Sequence, residues 1–242
     1  GNTHFLRTVS ANFLLAFFKL EPPHTHTSHG GDSTKEFLVA HYIASDGERP
    51  LLGPINGSLK SYINSPLYYY LLAGFLKIKD DVFFLGVVNI FFWLISIFLL
   101  YLIAETLFGH LKALLSSLFF SIIPKVFKQT DFIFQPYQAQ PFAYLALFLL
   151  ILSYKKNNFK IALLSLVVLC FAGAIHNSAF AWLPLFLVPI FLMIRRKKHK
   201  IRLFLVACLA LILPISALYS PVFVYYLKNP QLFRCLHLIS VY

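Results

Sequence analysis

Two carboxylates one helical turn apart, Asp32 and Glu36, stand at the junction between a Gly-Gly turn and an apolar stretch. A carboxylate is a weak base in water, but partial burial beside a membrane raises its pKa and improves proton abstraction. The plainer role for Asp32 is a helix N-cap, with Glu36 complementing the dipole of the first turn. Lys35 lies between the two acids, and Lys125, Lys128 and Asp131 form a second charged group far along the chain. His24, His26 and His29 precede Asp32, and although imidazoles suit zinc, solvated loop histidines are the better reading of this pattern in a glycine-rich segment. His176 is an ionisable group in a stretch otherwise nearly devoid of polar side chains, where it is either functional or a satisfied structural histidine.

These residues need elements to hold them, and the composition says what kind. Of 242 residues, 59% are hydrophobic and 12% charged, against about 25% charged in a soluble domain. A single core cannot enclose that much apolar surface in a chain of this size. The apolar residues run in long blocks rather than a 3.6-residue stripe, so most helices are apolar all round. The fold class is therefore all-α, a polytopic integral membrane protein, and a soluble globular domain is excluded. The blocks predict spans at Val82–Ala104, Ala113–Phe127, Gln138–Leu152, Ile161–Ala174, Phe180–Ile194 and Leu203–Tyr219. Phe5–Leu20 is a further span, in preference to a cleaved signal peptide, because no small-residue cleavage site follows it.

Orientation follows from Lys and Arg. The short loops Lys155–Lys160 and Arg195–Arg202 are basic and carry no acid, which predicts a cytoplasmic position. Counting helices puts Glu105–Lys112 on the same side, and Glu21–Asp81, Lys128–Tyr137, Ile175–Ala179 and the C-terminal tail outside. Eight of the nine acids then fall outside, Glu105 being the exception. Topology and anionic headgroups account for much of the +12 net charge, so no nucleic-acid partner is implied. Cys170, Cys208 and Cys235 have no metal-ligand spacing, and no GxGxxG, Walker or zincin pattern is present.

The outer loop Glu21–Lys79 is too long to be a connector alone. After a turn-rich histidine segment, Asp32 or Ser33 caps a predicted helix Thr34–Ser45 whose Phe37, Leu38, His41, Tyr42 and Ala44 suit the membrane interface. A break at Gly47–Pro54 precedes a Pro-started helix over Asn64–Ala73 with Tyr68, Tyr69 and Tyr70 at interface depth.

Gly31-Asp32-Ser33-Thr34-Lys35-Glu36, then Arg49-Pro50-Leu51-Leu52-Gly53-Pro54, then Ser65-Pro66-Leu67-Tyr68-Tyr69-Tyr70 resemble the first outer loop of GT-C membrane glycosyltransferases. These are family-39-like enzymes related to protein O-mannosyltransferases and the lipid A aminoarabinose transferase. The similarity continues through Tyr101–Gly109, Gln135-Pro136 and His176-Asn177-Ser178. The resemblance implies a GT-C-like bundle over residues 1–242, continuing beyond them in relatives, with interfacial helices and the active site in residues 21–79. It implies sugar transfer from a polyprenyl-phosphate donor to a lipid, glycan or protein acceptor, outside the cytoplasmic membrane.

Within that resemblance Asp32 takes the position of the catalytic acid/base, and Glu36 that of a second acid or an orienter. Lys35 falls where relatives often carry Arg. Asp131 stands in the neighbourhood of another Arg, so Lys125 and Lys128 become the candidates for holding the donor phosphate, their plainer reading being headgroup anchors. Tyr68 and His176 complete the candidate substrate site, against the plainer readings of aromatic belt and structural histidine. The cofactor is unknown, with a divalent metal left open. Two other classes compete: a transporter, which would show paired broken helices and mid-membrane charges, and a non-catalytic membrane scaffold, which would need no Asp32.

Overall fold

The computed structural model describes residues 30–54, 64–123, 135–195 and 197–230, and these are helical apart from short connections. In chain order the helices are α1 (Gly30–Ser45), α2 (Leu67–Leu76), α3 (Val82–Phe108), α4 (His110–Ile122), α5 (Gln135–Lys155) and α6 (Phe159–Ile175). A 3₁₀ helix (Asn177–Trp182), α7 (Leu183–Arg195) and α8 (Lys200–Lys228) follow. The expected segment Phe5–Leu20, His24, His26, His29, Lys125, Lys128, Asp131 and Cys235 lie outside the described residues.

Among the described residues three helical stretches are long and apolar enough to cross a membrane: Val82–Phe108, Asn177–Arg195 and Lys200–Lys228. At 1.5 Å per residue, α3 and α8 reach about 40 Å, more than the ~30 Å hydrocarbon core. On α8 the large side chains Phe204, Leu205, Leu209, Ile212, Leu213 and Phe223 are all exposed, while Ala207, Val222 and Tyr226 are buried. An apolar surface of that extent is stable against lipid rather than water. The chain is an integral membrane protein.

Several boundaries differ from the sequence expectation. α1 starts at Gly30 rather than Thr34, so Asp32 and Ser33 lie inside its first turn and neither is the N-cap. Pro66, with φ −73°, is the residue before α2 rather than its first helical residue, and α2 runs to Leu76. The span expected from Phe180 begins as a 3₁₀ helix at Asn177 and becomes α-helical at Leu183. Pro184 sits in the first turn of α7, where a missing N–H costs nothing. α3 ends at Gly109, whose φ of +88° lets the chain reverse directly into α4.

Among the described helices, α5 and α6 pack against each other most extensively. Ala143, Ala146 and Leu150 on α5 recur at helical spacing and share a buried core with Ala162, Leu166, Leu169 and Ala172 on α6. Small residues let the two backbones approach, which is how membrane helices gain packing without a hydrophobic driving force. Phe186 and Ile190 of α7 close this core from the side. A second buried cluster caps one end of the bundle: Ala40 and Ile43 of α1 and Tyr68, Leu72 and Leu76 of α2 pack with Leu85, Ala139 and Ile175. Asp80, Asp81 and Gln135 belong to that end, whereas Glu105, His110, Lys155 and the 197–202 segment belong to the other.

Candidate active site

Glu36 is the buried charge around which the capped end is organised, with 4% of its surface exposed. It projects from α1 between α2 and the start of α5. The Tyr68 hydroxyl donates to Oε2 at 2.6 Å, and Gln135 Nε2 donates to Oε1 at 2.9 Å. A buried carboxylate is tolerated only when donors replace its hydration, and these two arrive from different helices. Burial first, and then the charge and hydrogen bond of Glu36, hold the Tyr68 phenol well above its ordinary value of 10.0. The phenol is therefore a fixed donor at neutral pH.

Asp32 is one turn before Glu36 on α1, a spacing that places the two positions on the same helix face. Its side-chain placement lies outside the described part of the structure. Lys35 is exposed. The three tyrosines of α2 divide. Tyr68 and Tyr69 are buried, and the exposed Tyr70 donates to the Pro50 carbonyl at 3.0 Å. An aromatic belt thus describes Tyr70 better than Tyr68, whose ring is enclosed and whose hydroxyl is committed to Glu36.

A second polar network ties residues 53–54 and 64–65, between α1 and α2, to each other and to the bundle. Asn64 Nδ2 donates to the Pro54 carbonyl at 2.6 Å, and Asn177 Nδ2 donates to Asn64 Oδ1 at 2.5 Å. The Tyr219 hydroxyl of α8 lies between Asn177 Oδ1 and the Gly173 carbonyl. Ser65 Oγ donates to the Leu218 carbonyl at 2.7 Å. Gly53 is required here, since a Cβ on it would sit 2.1 Å from the Ser65 carbonyl oxygen. His176 precedes the 3₁₀ helix, and its Nδ1 accepts from the Ser178 backbone N–H at 3.3 Å and lies 2.6 Å from Ser178 Oγ. Burial pushes its pKa below 6.5, which leaves a neutral ring with its proton on Nε2. Near the rim, His41 Nδ1 pairs with Asp80 at 2.8 Å.

Gln138, one turn below Gln135, is fully buried, and among the described residues neither its amide nitrogen nor its amide oxygen has a partner. Among the described residues no group of three or more His, Cys, Asp or Glu side chains could hold a metal.

Gln135, Asn64, Asn177 and Tyr219 were not among the candidate site residues of the sequence. The signal for the first three was present, since each is an amide flanking an apolar block, but their partners are distant in the chain.

The family model described as dolichyl-phosphate-mannose-protein mannosyltransferase matches residues 64–225, well over half of the chain. The match contains Tyr68, Gln135, His176, Asn177 and Tyr219, and it begins after Asp32 and Glu36. No curated protein and no solved structure matches the chain.

Proposed function

The chain belongs to the dolichyl-phosphate-mannose-protein mannosyltransferase family, GT-C membrane glycosyltransferases that use lipid-phosphate-linked sugars, and from this premise we propose that its active site lies at the end capped by α1 and α2. The sugar moves from a polyprenyl-phosphate donor to an acceptor on the outer face of the cytoplasmic membrane. Residues 21–79 are the loop that carries the site, within a GT-C-like domain over residues 1–242. The outward orientation is supported by the basic segments Lys155–Lys160 and Arg195–Arg202 at the opposite end.

In this reading the bond between the anomeric carbon and the phosphate oxygen breaks as the acceptor hydroxyl oxygen attacks that carbon. The Asp32 carboxylate takes the hydroxyl proton, and polyprenyl phosphate departs as the anion. Lys125 and Lys128, with Lys35, hold the phosphate, and a charge-assisted contact is what such a group needs at the membrane boundary. Asp131 and His176 are assigned to the substrate side of the same end of the bundle. Glu36 positions rather than reacts, because both its oxygens already accept hydrogen bonds and its surface is enclosed. Tyr68 acts through it.

The observation that carries the proposal is the Tyr68–Glu36–Gln135 bridge. It ties α1, and with it Asp32, to two helices of the matched region. The test is donor saturation of the full-length protein in proteoliposomes with Lys125→Gln/Lys128→Gln. The donor KM should rise by about tenfold or more for one lost phosphate contact, with the acceptor KM unchanged. An unchanged donor KM would leave the two lysines as headgroup anchors.

A further inference from the structure

The end of the bundle opposite the candidate active site carries an open cavity of about 400 Å³ between the first turns of α6 and α8. Its floor is apolar: Phe159 and Leu163, four residues apart on α6, face Leu203 and Val206 on α8. Its rim is cationic, made by Lys197, Lys198, His199 and Arg202. Lys198, His199 and Arg202 are exposed, and among the described residues no carboxylate pairs with any of the four. Both helices begin here, so the positive ends of two helix dipoles point toward the same rim. α8 also starts without a side-chain cap, which leaves its first backbone N–H groups open to an external acceptor.

An apolar trough bordered on one side by unpaired cations fits a molecule that is half hydrocarbon and half anion. A free phosphate would use the rim and leave the trough wet. A neutral lipid would fill the trough and leave the rim charges uncompensated. We infer that the groove between the starts of α6 and α8 is a binding site for one anionic glycerophospholipid, its phosphate on Lys197, Lys198 and Arg202 and an acyl chain along Phe159, Leu163, Leu203 and Val206. Basic pockets between membrane helices hold acidic headgroups in this way. A defined site differs from the general attraction of a basic loop to an acidic leaflet in being saturable and in needing the trough.

The test is native mass spectrometry of the purified full-length protein, delipidated in detergent and titrated with phosphatidylglycerol or phosphatidylcholine. One phosphatidylglycerol should be retained saturably, and phosphatidylcholine should not replace it. Lys198→Gln/Arg202→Gln should raise the half-saturation point by about tenfold or more, the equivalent of one lost charge-assisted contact. Lys112→Gln/Lys156→Gln removes the same charge from exposed positions at the same end and should leave it within about twofold. Val206→Trp keeps every charge, fills the trough and should also abolish retention. Three results would each overturn the inference: an equal loss in the Lys112/Lys156 pair, undiminished binding by Val206→Trp, or displacement of the lipid by millimolar glycerol phosphate. Because the readout is bound lipid, the outcome is independent of sugar transfer.

Discussion

Replacing Tyr68 with Phe removes one oxygen and little else from the capped end of the bundle. That oxygen lies 2.6 Å from Glu36 Oε2, and a hydrogen bond to a charged group is worth about 1.5–3 kcal/mol. Since Phe retains the ring that fills the α1–α2 cluster, no cavity term is added. Tyr68→Phe should therefore destabilise the protein by about 2 kcal/mol in reversible detergent denaturation of the full-length chain. Gln135→Leu removes the second donor, and the double variant should show an interaction energy of about 0.5 kcal/mol or more, because both donors serve one carboxylate. The pH dependence has a defined sign. A phenol whose folded pKa is raised contributes stability that is complete below about pH 10 and declines above it, where the unfolded chain loses its proton first. The gap between wild type and Tyr68→Phe should accordingly be flat near neutrality and narrow above about pH 10. A Tyr68→Phe protein within about 0.5 kcal/mol of wild type would refute the argument that Glu36 is held as a buried, donor-dependent charge.

Two further substitutions probe the frame around the site. Gln138→Leu removes a buried amide whose polar atoms have no partner among the described residues, and it should raise stability by about 1–3 kcal/mol in the same assay; a loss of similar size would mean that the amide is satisfied by a bound water, a substrate or a residue outside those described. Gly53→Ala drives a Cβ into the Ser65 carbonyl and breaks the Gly53 N–H bond to the Asn64 carbonyl at 3.0 Å. It should cost about 1–3 kcal/mol through overpacking, read as a lowered midpoint of thermal unfolding.

The helices were legible because lipid-facing segments show as uninterrupted apolar runs: α3 runs four residues past the expected Ala104, and α8 starts three residues before the expected Leu203 but continues nine residues past Tyr219. The start of α1 was misplaced because Gly30 and Gly31 have low intrinsic helix propensity, yet Ala40 and Ile43 pack against α2 and the helix extends back through both glycines. The family resemblance was carried by short ordered motifs, and the match over residues 64–225 agrees with it. The partner of Glu36 was not legible. Gln135 is 99 positions away, and only the packing of α1 and α2 over the end of α5 brings the two together. Nor could the sequence sort Tyr68 from Tyr70, since α2 is apolar all round and offers no stripe to mark its inner face. Asn64 and Asn177 were quoted within motifs, but their mutual hydrogen bond depends on how the loop between α1 and α2 folds back onto α6 and α8.

The central proposal is that a carboxylate on α1 performs the proton transfer, and Asp32→Asn measures it most directly. Both positions 32 and 33 lie inside the helix rather than at its cap, and Asn serves a helix start about as well as Asp, so the change leaves the helix and the Tyr68–Glu36–Gln135 bridge in place. The full-length Asp32→Asn protein should insert and unfold like wild type while its sugar-transfer rate from a polyprenyl-phosphate donor falls about 10²-fold or more. Near-normal turnover by that variant would contradict the account and move the search for the base to another residue at the same end of the bundle.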